Sequence, residues 1–367
     1  MIGAIGSPWR ATVSAWGRID PADGSPPLDW AIGGADRWYR PEVESSTRQR
    51  AIGGTPVIES RVRVPGGDAI HRTFVVAGGH AVVEIENASP APFAVAFTRA
   101  DVIGPVAPSA VPESASLPSE SVAFAVAHRT RLTVVWPRGS TPPRVPTSEM
   151  VVRGWQTQCD RGVRYELPDE SLLESLTWAR CALLLDGPLV SDDPPTRLLA
   201  MGEWVRLGED SAPLVPAVAD AVHALARTHS AWALRSGADV LRAAGEERAA
   251  ADVLDILRRM GASEEEPVSV LARVRSLVRA CASGGIELLP MFPEAWVGQS
   301  LAVYGEHTPF GKLSFAVRWH GSRPAVLWEL DRAGPVLLRC GLDPAWSTTE
   351  PRGDALLAPF SSSEDEC

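Results

Sequence analysis

The sequence predicts a multidomain α and β protein, with an N-terminal antiparallel β-sandwich, a central region of helical hairpins and a small C-terminal β-domain. Three observations predict it. The hydrophobic period is 2 over residues 1–155, becomes that of a helix over 168–284, and returns to 2 over 296–350. Turn and capping residues fall where the period changes. At 367 residues the chain also exceeds the size that one hydrophobic core usually sustains.

In the first region Ile58, Ser60, Val62 and Val64 alternate with Glu59, Arg61 and Arg63, the pattern of a strand with one wet face. Pro65-Gly66-Gly67-Asp68 then turns the chain into a second run, Ile70 to Val76. Further strands are predicted at Ala81–Glu86, Phe93–Arg99, Val122–Val126 and Leu132–Trp136, a recurrence that suits a sandwich. The Pro- and Ser-rich stretches Gly104–Ser121 and Pro137–Ser148 read as long surface loops.

From residue 168 the apolar positions follow a helical period. Leu172, Leu173, Leu176, Leu183 and Leu184 mark one helix, which Asp186-Gly187-Pro188 ends. Leu214, Val215, Val218, Val222 and Leu225 mark another, with Pro213 and Pro216 at its start. Segments 237–244 and 246–260 read as short helices closed by Gly245 and Gly261. A further helix is predicted over 267–282. Glu264–Glu266 would complement its dipole, Pro267 would open it, and Leu271, Val274, Val278 and Cys281 would form its buried stripe.

Strands return with Leu313, Phe315, Val317 and Trp319 alternating with polar or small neighbours. Gly321-Ser322-Arg323-Pro324 turns the chain into Ala325–Leu330, and Val336–Cys340 reads as a third strand. The acidic tail 361–367 is predicted to be disordered.

Composition excludes some functions. A net charge of −10 argues against nucleic acid and against anionic membranes, and Lys312 is the only lysine. No run of 18 apolar residues predicts a membrane span. The N-terminus lacks the basic-then-apolar pattern of a secretory signal, and the five cysteines are odd in number and form no C-x-x-C. A cytoplasmic protein with reduced thiols is therefore expected.

The stretches VVEIENASPAPFAVAFTR (82–99) and WVGQSLAVYGEHTPFGKLSFAVRWHGSRPAVLWEL (296–330) look like parts of bacterial (α/α)-toroid, six-hairpin glycosidases and phosphorylases. The order of sandwich, helices and β-domain resembles theirs too. The resemblance implies a partial α/α toroid, because 168–284 has room for about half of a six-hairpin ring. It also implies carbohydrate chemistry with a possible oligosaccharide ligand. No catalytic motif of the family is matched, so no family residue is transferred.

Glycoside hydrolysis requires two carboxyl groups across the scissile bond. Glu203 and Glu294 are the candidate catalytic residues. Glu203 follows Leu198 and Met201 on a helix and points about 140° away from Leu198, towards either a cleft or solvent, the solvated face being the simpler reading. Asp192 and Asp193, before Pro194-Pro195, read as a helix N-cap. Glu294 and Gln299 flank Trp296 in a Pro- and Gly-containing loop. An indole offers its face to a sugar ring and the polar pair offers hydrogen bonds, while a Trp plugging a core is the alternative.

Glu306 and His307 are further candidate binding residues. Their spacing matches no zinc motif, so no metal and no cofactor is expected. The sequence lacks G-x-x-x-x-G-K-[ST], G-x-G-x-x-G and G-x-S-x-G, which removes support for nucleotide-dependent phosphoryl transfer, dinucleotide redox chemistry and α/β-hydrolase catalysis. Two functions remain: a hydrolase or phosphorylase with its cleft beside the helices, and a non-catalytic relative that binds a glycan or a protein.

Overall fold

In the computed structural model, which describes residues 1–137, 144–225, 230–259, 268–281, 284–331 and 334–360, the N-terminal stretch forms antiparallel sheets. The chain divides into two compact units, Met1–Gln156 and Thr157–Cys367. The tail 361–367, the cap Gly261 and the helix start 264–267 lie outside the described residues.

The first unit contains a three-stranded and two five-stranded sheets. One five-stranded sheet runs Ser109–Ala110, Val122–Val126, Phe93–Phe97, Trp30–Gly33 and Trp38–Tyr39. The other runs Arg131–Trp136, His80–Asn87, Gly67–Val76, Ile58–Val64 and Arg48–Ala51. The predicted hairpin is present, with Ile58 opposite Thr73 and Val64 opposite Gly67. The two sheets meet where the Trp30 ring stacks on His71 at 4.5 Å between centroids.

The wet face expected for Glu59 is not found. Its carboxylate is buried and accepts from Arg50, Arg61 and Arg72 at 3.0, 2.9 and 2.8 Å. The neighbouring strands supply Arg50 and Arg72, which strand periodicity alone does not reveal, and Arg61 reaches back from two residues along the same strand.

Two further departures lie in this region. A 3-10 turn, Glu113–Ala115, and the strand Ser109–Ala110 interrupt the expected loop. Helix α1, Ser148–Cys159, forms where no helix is predicted. Its start is held by Glu84, which is 1% exposed and accepts from the Ser148 backbone N–H (2.9 Å) and hydroxyl (2.6 Å). A buried acidic partner at a helix start completes donors that otherwise go unsatisfied.

In the second unit α2 (Glu170–Asp186) begins at the Asp169 cap and ends at Gly187, whose φ of +82° suits glycine. Asp193 caps α3 (Pro194–Arg206), as its spacing predicts. α4 (Val215–Leu225), α5 (Ala231–Ala243) and α6 (Glu247–Arg259) follow, and α3 to α6 share one apolar cluster around Leu198, Met201, Val218 and Leu234.

The helix expected over 267–282 is corrected. α7 spans only Val270–Arg275, capped by the Ser269 hydroxyl, and Val278–Ala280 is a strand opposite Ile286–Leu288. The helix ends at the Ser276 cap, the Arg275 side chain donates to the Val278 carbonyl at 2.9 Å, and the β-branched Val278 fits the pleat. Val274 and Val278, four apart, fit both periods, whereas Leu271 fits only the helical one.

A five-stranded antiparallel sheet orders Arg164–Glu166, Leu301–Thr308, Gly311–His320, Arg323–Asp331 and Arg352–Leu356. The predicted hairpin is in register, Leu313 opposite Leu330 and His320 opposite Arg323. Val336–Cys340, read as the third strand of that group, instead contributes Leu338–Cys340 to a separate four-stranded sheet, parallel to Ile286–Leu288. α2, α7 and both sheets bury one shared cluster that includes Leu172, Leu176, Val274, Val303, Phe315 and Leu338. Cys159, Cys181, Cys281 and Cys340 are free thiols, and Cys159 and Cys181 lie 3.6 Å apart between sulfurs. No helix among the described residues is long and apolar enough to cross a membrane.

Candidate functional site

Three of the predicted residues, Glu203, Glu306 and His307, come together although about a hundred positions separate the first from the others. The link is Arg206, at the last turn of α3. Its Nε donates to Glu306 at 2.9 Å and its Nη1 lies 3.5 Å from Glu203. Tyr165 donates its hydroxyl to the other oxygen of Glu306 at 2.9 Å. Arg180 donates to Glu203 at 2.7 Å and to the carbonyls of Cys159 and Val163, each at 2.8 Å.

Each member is put in place by its element. α3 packs against α2, α4, α5 and α7, so it is enclosed on nearly all sides and Glu203 is 0% exposed. The solvated face expected for Glu203 is therefore overturned: a helix at the centre of a bundle has no wet side. Glu306 is turned inward by a β-bulge. Leu301 and Val303 face Val317 and Phe315, and between Val303 and Glu306 the register slips by one, bringing Glu306 opposite Leu313 on the buried face. Without the extra residue Glu306 would point to the other side. Gly162 presses against the end of α3, and a Cβ there would fall 1.7 Å from the Arg206 carbonyl oxygen.

Burial alone would push the Glu203 carboxyl up, but Arg180 and Arg206 outweigh it and hold the group below its ordinary value. Burial, and then the negative charge of Glu306, pushes the Tyr165 hydroxyl well up. Both carboxylates thus serve as acceptors for buried cations. Both are buried, at 0% and 1% exposure.

The groove beside this cluster, about 210 Å³, is lined by Arg206, Asp239, Arg242, Glu247, His307 and Thr308 among others. Asp239 accepts from Arg242 at 3.3 Å and, through its other oxygen, from Arg275 at 2.6 Å. Burial lowers the His307 pKa, which keeps a neutral imidazole at the rim. Gly202 lets α3 approach α5 closely, since a Cβ there would meet the Ser236 Cβ at 2.8 Å. Among the described residues no group of three or more His, Cys, Asp and Glu is placed to hold a metal ion.

The other predicted trio stays at the 290–300 turn. Glu294 and Gln299 are exposed, and Gln299 donates to the Ala295 carbonyl at 2.8 Å. Trp296 is 4% exposed and packs edge-on against Phe292 at 6.3 Å. It lies within the shared core cluster and also lines a cavity of about 790 Å³ with Phe292, Met291 and Arg273.

Sequence reasoning did not find Tyr165, Arg180, Arg206, Asp239 or Arg242. For Arg180 a signal existed: it continues the i, i+4 stripe of Leu172 and Leu176, so a charge sits where the helix is buried. The others depend on contacts between distant elements. No protein-family model matches the chain, and no curated protein matches its sequence.

Proposed function

We propose that the protein is a non-catalytic carbohydrate-binding protein, in which the second unit holds a short saccharide in the groove between Arg242 and His307. The observation that carries this reading is the convergence of Asp239, Arg242, Glu247, His307 and Thr308 on one groove, beside carboxylates already occupied by arginines. Sugar hydroxyls both donate and accept, and such a rim presents carboxylate, guanidinium, imidazole and hydroxyl groups together. The toroid resemblance supplies the ligand class.

A two-carboxylate hydrolase is less well supported. It requires one protonated and one ionised carboxyl open to the substrate, whereas Glu203 is enclosed and ion-paired. Asp239 also has both oxygens engaged by guanidinium groups. A cytoplasmic location belongs to the same proposal, resting on the free thiols.

Three or four hydrogen bonds of about 1 kcal/mol each correspond to a dissociation constant near the millimolar range. NMR titration with neutral mono- and oligosaccharides should show such binding, weakened about tenfold or more by Arg242→Ala. Absence of binding to every saccharide tried would remove the carbohydrate reading. Hydrolysis of a bound saccharide that Glu294→Gln abolishes would restore the enzyme.

A further inference from the structure

A second cavity of about 300 Å³ adjoins the groove and shares Asp239, Arg242 and Pro309 with it. Among the described residues its wall carries four guanidinium groups, from Arg235, Arg242, Arg258 and Arg275, and one carboxylate, Asp239. In a chain of net charge −10 that concentration of positive charge runs against the average of the molecule.

The four arginines are not equivalent. Arg242 and Arg275 pair with Asp239, and Arg258 pairs with Asp255. Arg235 forms no ion pair among the described residues, and its buried Nη1 has no hydrogen-bond partner there. Its guanidinium lies over the Trp232 ring at 5.0 Å, which orients it without neutralising it. The Nε of Arg275 is also buried without a partner. Burial, with Arg275 and Arg279 nearby, pushes the Arg235 pKa down to about 10, so the side chain is still a cation near neutral pH. A half-buried cation that lines the cavity with no ion-pair partner among the described residues is stabilised when an anion arrives.

The remaining wall is apolar. Leu254 and Leu257 from α6 and Phe310 from the hairpin turn border the same space. Inorganic phosphate alone would leave that surface wet.

We propose that this cavity binds a small anion carried on an apolar body, with Arg235 and Arg275 holding the anionic oxygens and Leu254, Leu257 and Phe310 receiving the body. The ligand chemistry is an aryl or short alkyl phosphate or carboxylate. The proposal does not rest on the saccharide reading, because none of these contacts needs a sugar, and the probes below contain none.

The test uses the full chain, with phenyl phosphate, benzoate, inorganic phosphate and neutral phenol titrated by calorimetry and followed by thermal melting. Phenyl phosphate or benzoate should bind at least tenfold more tightly than phenol, and whichever binds better identifies the head group. Inorganic phosphate should bind more weakly than phenyl phosphate. Arg235→Met should lose at least tenfold in affinity for the anions, and should melt at or above the parent temperature without ligand because a half-buried cation without an ion-pair partner has gone. Leu257→Asn should weaken phenyl phosphate but leave inorganic phosphate unchanged. Equal affinity for phenol, or anion binding by Arg235→Met equal to the parent's, overturns the proposal. So does a lowered melting temperature of unliganded Arg235→Met, which would make Arg235 a structural cation.

Discussion

Replacing Arg206 by Met tests whether the buried charge cluster holds the second unit together. The cluster contains two carboxylates, Glu203 and Glu306, and two guanidinium groups, Arg180 and Arg206, so its formal charge is zero. Removing Arg206 leaves Glu306 with the Tyr165 hydroxyl as its one partner among the described residues, and the cluster carries one uncompensated negative charge. Two unit charges about 4 Å apart interact by about 4 kcal/mol at an effective dielectric near 20. Breaking one partner from a buried pair costs about 3–5 kcal/mol. For a unit of this size, about 3 kcal/mol is a fall of about 6–12 °C in melting temperature. The double variant Arg206→Met with Glu306→Gln removes both charges and keeps an acceptor for Tyr165. It should therefore be more stable than Arg206→Met alone by about 1 kcal/mol or more. Differential scanning calorimetry suits the assay because two compact units can melt separately. A loss below about 1 kcal/mol for Arg206→Met, or a double variant no better than the single, would refute the reasoning.

Three other perturbations have definite outcomes. His71 is fully buried against Trp30 and its pKa is lowered from 6.5 to about 3 by that burial. The unfolded chain therefore takes up the proton first as pH falls below 6.5. Stability should drop from there towards pH 3, by about 2 kcal/mol at pH 5, and His71→Phe should flatten that part of the urea-unfolding profile. An unchanged slope would show that His71 does not contribute. Trp296→Ala should destabilise the second unit by about 3–5 kcal/mol, because the indole is core. A loss below 1 kcal/mol together with loss of saccharide binding would instead make it a stacking platform. Gly162→Ala should shift the end of α3 and cost more than about 2 kcal/mol, since its Cβ would overlap the Arg206 carbonyl. Hydrogen exchange at Val163, whose N–H donates to that carbonyl at 2.9 Å, should accelerate, and unchanged protection would contradict the contact.

By itself, the sequence determined the elements whose stability is local. The hairpins at 58–76 and 313–330, the Asp193 cap and the Gly187 stop follow from side-chain alternation and from single residues that satisfy or end a helix. Trp296, Glu294 and Gln299 were legible as a turn, and an indole's size makes it a candidate for either core or surface. Only the tertiary structure chose the core. Glu203, Glu59 and Arg180 show the same limit from the polar side. A charged residue on a periodic segment reads as solvated, yet here oppositely charged groups brought in by other elements, Arg180 with Glu203 and Arg72 with Glu59, allow each charge to be buried. The strand at Val278–Ala280, read as helix, owes its state to its pairing with Ile286–Leu288, a contact no local period encodes. The inward turn of Glu306 depends on one unpaired residue in the register with Gly311–His320. Period and capping are properties of neighbours along the chain, whereas burial of charge, bulge register and the arginine-lined cavity are properties of neighbours in space.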